Sequence, residues 1–183
     1  MIIVRNAIAF NFGWWACVLG SAWDALWLGP VVVSAALVFH LLVNTPVNRR
    51  ARELVMILGI AIVGVAIDAA LFKSGVIVFP AAPIVSFGFV ACWIAFWANF
   101  ATTLNTSLRW LQPWLILALL LGGVFGPLTY RGGVALGALE FGDPPFLSWI
   151  ALSIEWAIVL PLALLIASRV RRALRSDATE GTT

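Results

Sequence analysis

The amino-acid sequence predicts an all-α fold, a polytopic membrane protein built as a bundle of about six transmembrane helices. Hydrophobic residues make up 63% of the 183-residue chain and charged residues only 10%, whereas soluble domains need roughly 25% charged residues. Apolar windows of about 20 residues, long enough to cross a hydrocarbon core, recur along the chain. The basic residues fall on alternate connections between these windows. These observations predict that lipid solvates much of the protein.

Six apolar windows account for nearly the whole chain, and turn-forming residues separate them. Segment 76–83 contains two prolines and is predicted as an outer loop before the fourth helix. Residues 131–142 are too short to span and are predicted as an outer hairpin or a re-entrant segment. Gly126-Pro127 predicts a kink or an end of the fifth helix, and Gly132-Gly133 a sharp reversal. The predicted helices cover residues 6–23, 25–45, 53–72, 84–106, 112–130 and 146–167.

The positions of the basic residues predict the orientation. With six spans, only Lys73 and Arg131 lie on the outer side, and the other nine lie on the side that the positive-inside rule assigns to the cytoplasm. Both termini are therefore predicted to be cytoplasmic, with one helical domain over 1–175 and a disordered tail over 176–183. A cleaved signal peptide is the alternative for the first window. The nine residues are Arg5, Arg49, Arg50, Arg52, Arg109, Arg169, Arg171, Arg172 and Arg175.

Polar residues at the inner ends of the helices predict a ligand pocket. A spacing of three to four residues places small residues at the outer end of helix four and amides and hydroxyls at its inner end. His40, the only histidine, lies at a similar depth and is the one group there that exchanges protons near neutral pH. The alternative is a set of separate hydrogen bonds between helices. The predicted pocket residues are Asn11, His40, Asn99, Thr102, Asn105 and Arg109.

Carboxylates inside the spans are further candidates. Asp68 is predicted near the outer side, paired with Lys73 or Arg131 or bonded at a helix end, and with Tyr130 these groups form an outer polar set. Glu155 falls near the middle of helix six, where it should be protonated or bonded to a hydroxyl or amide. Glu53 complements the positive start of helix three and pairs with neighbouring arginines. His40 and Asp68 are the candidate catalytic residues.

Several classes of site lack the residues they need. One histidine and two distant cysteines do not make a zinc or haem site, and no zinc-protease, serine-hydrolase or phosphate-loop motif occurs. Many of the ten tryptophans fall at window ends, which is typical of membrane interfaces rather than of nucleic-acid binding. The sequence therefore predicts no metal, no cofactor and no nucleic-acid partner.

Several motifs carry a resemblance to a known family. FNFGWWACVLGSA at 10–22, FATTLNTSLRWL at 100–111 and GPLTYRGGVALGALEF at 126–141 resemble the bacterial inner-membrane proteins of domain of unknown function 2878. The resemblance covers nearly the whole chain and implies a polytopic inner-membrane protein, while Glu155 departs from the expected pattern. Genes of that family often stand beside those of fatty-acid-modifying methyltransferases, which favours a lipid role. It places eight residues at polar motif positions, namely Asn11, His40, Glu53, Asp68, Asn105, Ser107, Arg109 and Tyr130.

Three functions are compatible with these features. The first is binding or modification of a membrane lipid in the cytoplasmic leaflet, with Arg109 on a headgroup phosphate, Asn99 and Asn105 orienting polar atoms, and His40 transferring protons. The second is a small proton-coupled carrier that uses Asp68, Glu155 and His40 as relay sites. The third is a structural or assembly subunit. Membrane lipids are the expected partners, with a second copy of the chain or another membrane protein as further possibilities.

Overall fold

Six apolar stretches of the sequence form six α-helices, and their order matches the predicted windows. The computed structural model describes residues 1–79 and 86–180, with side chains as far as Arg172. Within those residues, four helices are long and apolar enough to cross a membrane, and the second and fourth are shorter. The helices are α1 Ile2–Ala22, α2 Leu28–Phe39, α3 Arg50–Lys73, α4 Phe87–Ala101, α5 Leu115–Ala135 and α6 Pro145–Glu180.

The helices alternate in direction, so that an end of each one approaches the same side of the bundle. A cavity on this side is lined by the start of α1, the residues after α2, the start of α3, the segment after α4 and the late part of α6. Gln112, just before α5, is hydrogen-bonded into the same region. This side is called the basic end, because Arg49, Arg109 and Arg171 line its cavity. The opposite side carries a two-stranded antiparallel ladder, β1 Ile77–Val78 with β2 Glu140–Phe141.

The helices pack as a four-helix unit and a hairpin. Within α1–α4, α3 packs on α4, α1 packs on α2, and α4 also packs on α1 and α2. The other two helices, α5 and α6, pack mainly on each other, and α3 is the helix of the four-helix unit on which α6 packs most. At this seam the Trp97 indole of α4 stacks on the Trp156 indole of α6, with ring centroids 5.2 Å apart and planes inclined by 4°. The interior of the seam is therefore aromatic.

Helix α4 is shorter than the sequence predicts. It ends at Ala101 and not near 106, and turns follow over 102–108 before a 3-10 turn at Arg109–Leu111. The hydroxyls of Thr102, Thr103 and Thr106 donate to backbone carbonyl oxygens three or four residues earlier. Hydroxyls that bond the local backbone in this way compete with helical hydrogen bonds. The same threonines that make this segment polar therefore also favour the end of the helix at this position.

Helix α5 is longer than the sequence predicts. It continues through Pro127 to Ala135, so of the predicted kink or end at Gly126-Pro127 the end does not occur. Proline removes one backbone donor, but neighbouring helices in a bundle compensate for such losses, and α6 packs along α5 here. Gly132-Gly133 lies inside the helix, and the reversal instead uses Gly137, whose φ of 77° is costly for other residues.

The connecting segments differ from the predictions in detail. In the region 131–142, the first five residues complete α5 and Glu140–Phe141 pairs with Ile77–Val78 to form the ladder. The predicted outer loop at 76–83 therefore begins as a strand, and its residues 80–83 lie outside the described ranges. At the C-terminus α6 extends to Glu180, residues 181–183 are outside the description, and the disordered tail over 176–183 stays a prediction.

Candidate functional site

A buried carboxylate lies at the centre of the polar cluster at the basic end. The Glu53 side chain, in the first turn of α3, is buried. Its Oε1 atom is 3.4 Å from His40 Nε2, and its Oε2 atom accepts a hydrogen bond of 2.9 Å from Asn105 Nδ2. A carboxylate removed from water needs such partners. Glu53 therefore bonds across the bundle to His40 and Asn105, whereas the sequence analysis expected the neighbouring arginines as its partners.

The cluster continues toward the α5–α6 hairpin. Gln112 Nε2 donates to Asn105 Oδ1 at 3.1 Å, and Gln112 Oε1 accepts from Arg171 Nη2 at 2.6 Å. Gln112 Nε2 also donates to the Leu104 carbonyl oxygen at 3.0 Å. One continuous polar chain therefore runs from His40 to Arg171 and links residues associated with five helices. Such a chain fixes the relative positions of its members.

A π-helical turn places His40 in this cluster. Residues His40–Asn44 continue α2 with the wider helical geometry, which occurs frequently at functional sites. The turn is held by Thr45 Oγ1, which donates to the His40 carbonyl oxygen at 3.2 Å, and by Arg50 Nη2, which donates to the Leu42 carbonyl oxygen at 2.8 Å. The local backbone, and not only the sequence spacing, therefore aims the imidazole at Glu53.

Beside this polar chain lies a cavity of about 240 Å³. The cavity is lined by His40, Asn44, Arg49 and Arg109, and in the described part of the chain the last two guanidinium groups have no hydrogen bond or ion pair. Three buried polar atoms at its wall also lack partners among the described residues, namely His40 Nδ1 and both the nitrogen and the oxygen of the Asn44 amide. Buried polar atoms are normally satisfied. The cavity therefore has the positive charge, the donors and the acceptors to hold an anion that also carries hydroxyl groups.

Three of the six predicted pocket residues come together here, and three do not. His40, Asn105 and Arg109 all line the cavity. Asn11 is exposed and donates to the Ala7 carbonyl oxygen of its own helix at 2.8 Å, so its predicted position in the pocket is wrong. A side chain on the outer surface of α1 cannot reach the cavity. Asn99 and Thr102 are buried, but they face α1 instead.

These two residues belong to a seam between α1 and α4. Asn6 Nδ2 donates to the Thr102 carbonyl oxygen at 3.2 Å, and Asn6 Oδ1 accepts from Ser107 Oγ at 2.7 Å. One helical turn or more away, Asn99 Nδ2 donates to the Phe10 carbonyl oxygen at 2.9 Å. The interhelical bonds that the sequence analysis held as the alternative therefore exist beside the cavity. The polar residues of the fourth window therefore have two roles: some line the cavity, and others bond α1 to α4.

The outer polar set is only partly assembled. Asp68 is buried in the bundle interior, where Trp97 Nε1 donates to Oδ2 at 2.6 Å and the Tyr130 hydroxyl donates to Oδ1 at 2.5 Å. The predicted partners Lys73 and Arg131 are both exposed, and neither forms an ion pair with Asp68 in the described ranges. An aromatic N–H and a phenol supply hydrogen bonds without a second charge. Asp68 therefore joins α3 to α4 and α5.

Glu155 lies close to this group on α6. It is only 9% exposed, and neither carboxyl oxygen has a hydrogen-bond partner among the described residues. The hydroxyl or amide partner predicted for it is not present there. Asp68 and Glu155 are connected through two stacked indoles, because Trp97 donates to Asp68 and stacks on Trp156, the residue that follows Glu155. Within the described ranges, no group of three histidine, cysteine, aspartate or glutamate side chains is placed to hold a metal ion.

Several residues of the site carried no distinct sequence signal. Asn6 is the first residue of the window in which Asn11 was predicted as a pocket residue, and Gln112 has the pattern of a helix breaker beside a proline. Arg171 was one of several similar arginines after the last window, and Asn44 was only one turn beyond His40. A helical-wheel comparison of Asn6 and Asn11 would have separated their faces, because five residues correspond to about 500° of rotation at 100° per residue. The remaining contacts depend on tertiary packing.

Comparison with known proteins gives one relationship. No curated protein and no solved structure matches the chain. Residues 3–162, which run from the start of α1 to the middle of α6, match the family described as protein of unknown function DUF2878. The match covers most of the chain, as the resemblance in the sequence motifs predicted. The chain therefore belongs to the DUF2878 family.

Proposed function

We propose that the protein is an integral protein of the bacterial inner membrane that binds a phosphate-bearing lipid headgroup in the cavity at the basic end. The supporting observation is the combination, in one cavity, of Arg49 and Arg109 with polar atoms of His40 and Asn44, all of which lack partners among the described residues. An anion with additional hydrogen-bonding groups would satisfy all of these at once. A phospholipid headgroup has this chemistry.

The proposed topology has six crossings. In addition to the four long helices, the segment Leu28–Asn44 and α4 Phe87–Ala101 would cross, although their 17 and 15 residues span only about 26 and 23 Å at 1.5 Å per residue. Short helices are accommodated by local thinning of the bilayer, and the turns at 102–108 extend the path of α4. Six alternating crossings bring all nine inner arginines to the basic end, which the positive-inside rule assigns to the cytoplasm, with both termini.

The proposed binding mode follows from the charges around the cavity. The planar guanidinium groups of Arg49 and Arg109 match the oxygens of a phosphate, while the Asn44 amide and His40 Nδ1 would bond the remaining headgroup oxygens. Glu53 is the one acid in the lining, and its two oxygens already face His40 and Asn105. The phosphate would therefore lie on the arginine side of the cavity. The lining also includes Ile2, an exposed apolar residue. The acyl chains of the lipid would pass this residue and remain in the bilayer.

The binding test uses the full chain in mild detergent, titrated with phosphatidylglycerol and followed by native mass spectrometry. A charge-assisted hydrogen bond contributes about 1.5–3 kcal/mol, and 1.4 kcal/mol corresponds to a tenfold change in Kd. We expect Arg109→Gln and Arg49→Gln each to raise the Kd by about tenfold or more. Arg131→Gln is the matched control, because Arg131 is exposed and lies outside the cavity lining, and it should leave the Kd unchanged.

Two further ligands separate the sources of the phosphate. Glycerol phosphate tests whether the soluble headgroup is sufficient, and phosphatidylcholine tests whether a bulky quaternary amine is excluded. Tight binding of glycerol phosphate would assign the cavity to a soluble metabolite and not to a lipid. Equal losses of affinity in Arg109→Gln and Arg131→Gln would show that only nonspecific charge attraction operates, and would contradict the proposal.

A further inference from the structure

The seam between the four-helix unit and the α5–α6 hairpin contains two acids. Asp68 comes from α3 and Glu155 from α6, which is the helix of the hairpin that packs on α3. Both are buried, and stacked indoles connect them: Trp97 donates to Asp68 and stacks on Trp156, the residue that follows Glu155. The two carboxyl groups belong to different packing units, so their charge state acts directly on the contact between those units. Neither belongs to the lining of the cavity at the basic end.

The two carboxyl groups have different hydrogen-bonding environments. Asp68 accepts from Trp97 Nε1 at 2.6 Å and from the Tyr130 hydroxyl at 2.5 Å, which are bonds that stabilise an ionised carboxylate. Glu155 has both oxygens buried without a donor in the described residues. The Trp156 Nε1 atom, on the next residue, is also buried and has no acceptor within 3.5 Å among the described residues. Ionising Glu155 in this environment is expensive, because no hydrogen bond from the described residues replaces its hydration.

Among the described residues, the elements around the pair present no positive charge to it. Helices α3 and α6 contribute the two acids themselves. Helix α4 contributes the Trp97 indole and α5 the Tyr130 phenol, and both of these groups are uncharged. Lys73 and Arg131 are exposed and form no ion pair with either acid. Two thiols, Cys17 and Cys92, line the same small cavity as Asp68 and Tyr130. Two ionised carboxylates would therefore repel each other without compensation.

We propose that Asp68 and Glu155 form a proton-binding site inside the bundle, in which one proton resides on Glu155 while Asp68 is ionised and held by Trp97 and Tyr130. The step is a simple exchange: Glu155 releases a proton to water or takes one up, and no other bond forms or breaks. The cavity of about 60 Å³ lined by Asp68 and Tyr130 has room for water beside Asp68, the ionised member of the pair. A buried site of this kind is what a proton-coupled carrier requires.

The test detects the protonated acid directly. Infrared spectra of the full chain in lipid nanodiscs, recorded over a range of pH, report the carbonyl stretch of a buried carboxylic acid. We expect such a band at neutral pH, its loss at alkaline pH, and its absence in Glu155→Gln. Asp68→Asn should change the pH at which the band disappears, because it removes the neighbouring charge. Glu140→Gln, a matched change at an exposed glutamate, should leave the band intact.

Isotope labelling makes the test independent of variant folding. In the unmodified chain, ¹³C-labelled glutamate should shift the band, whereas ¹³C-labelled aspartate should not. A band that shifts with aspartate, or that persists in a folded Glu155→Gln protein, would overturn the assignment of the proton. The absence of any protonated-acid band at neutral pH would overturn the proposal itself. None of these results depends on lipid binding at the basic end.

Discussion

Two asparagines of α1 show how burial decides the role of a residue. Asn6 is 2% exposed and bonds the segment after α4, almost a hundred residues away, whereas Asn11 is exposed and bonds its own helix. Both are amides in the same apolar window, and the sequence favoured the wrong one. Only the rotation of α1 about its axis, set by packing on α2 and α4, distinguishes them.

Replacing each asparagine by alanine should separate these roles. We expect Asn6→Ala to lower the free energy of unfolding by about 1–2 kcal/mol, because it removes the acceptor of the Ser107 hydroxyl and one of the two hydrogen bonds to the Thr102 carbonyl oxygen. Asn11→Ala, the matched control, should change it by less than about 0.5 kcal/mol. Unfolding of both variants in mild detergent, followed by circular dichroism, provides the measurement. Equal losses in the two would show that α1 is oriented differently.

The close contact between α1 and α4 depends on a glycine of α1, Gly13, which has no side chain. A Cβ atom at Gly13 would lie within 2.7 Å of the oxygen, carbon and nitrogen of the Asn99 amide group, which bonds the Phe10 carbonyl oxygen. Small residues allow helices in lipid to approach closely, and amides then bond between them. The small-and-polar stripe of the fourth window therefore works with a glycine on the facing helix.

Alanine at Gly13 should disrupt this helix pair. We expect Gly13→Ala to destabilise the protein by about 1–3 kcal/mol, the usual cost of overpacking, and a second change, Asn99→Ala, to recover part of the loss. Gly59→Ala is the matched control: Gly59 lies inside α3 with no neighbouring atom within 4 Å of an added Cβ. It should be neutral or stabilising, because alanine favours the helix. Thermal unfolding in detergent compares them, and a neutral Gly13→Ala would contradict the close contact.

On the scale of the whole molecule, the alternation of helix direction brings basic residues from several helices to one end of the bundle. The basic end brings together residues from the start of α1 to the late part of α6, and the ladder of β1 and β2 closes the opposite side. A chain that crosses a bilayer six times in this way exposes the basic end to the cytoplasm. The proposed headgroup site and the proton site then lie at different depths of the bundle.

Cysteine labelling tests this orientation. Asn48 lies in the exposed connection at the basic end and Ser74 just after α3 at the other end, and the native Cys17 and Cys92 are buried and can be replaced by alanine. We expect a membrane-impermeant maleimide to label Ser74→Cys in spheroplasts and Asn48→Cys only in inside-out vesicles. The reverse pattern would place the basic end outside, and labelling of both from one side would exclude six crossings.

The sequence by itself determined the helical class, the order of the helices and the family, because hydrophobicity over 20-residue windows and recurring motifs are local properties. It also indicated that His40, Asn105 and Arg109 lie at one end, since the depth of a residue follows from its distance along a helix. Only the tertiary structure decided that Glu53 bonds His40 and Asn105, that Asp68 bonds Trp97 and Tyr130, and that Asn11 faces outward. The physical reason is that such contacts depend on the rotation of each helix about its axis and on its packing against segments distant in the chain. A helix that is hydrophobic around most of its surface does not specify that rotation in its sequence pattern.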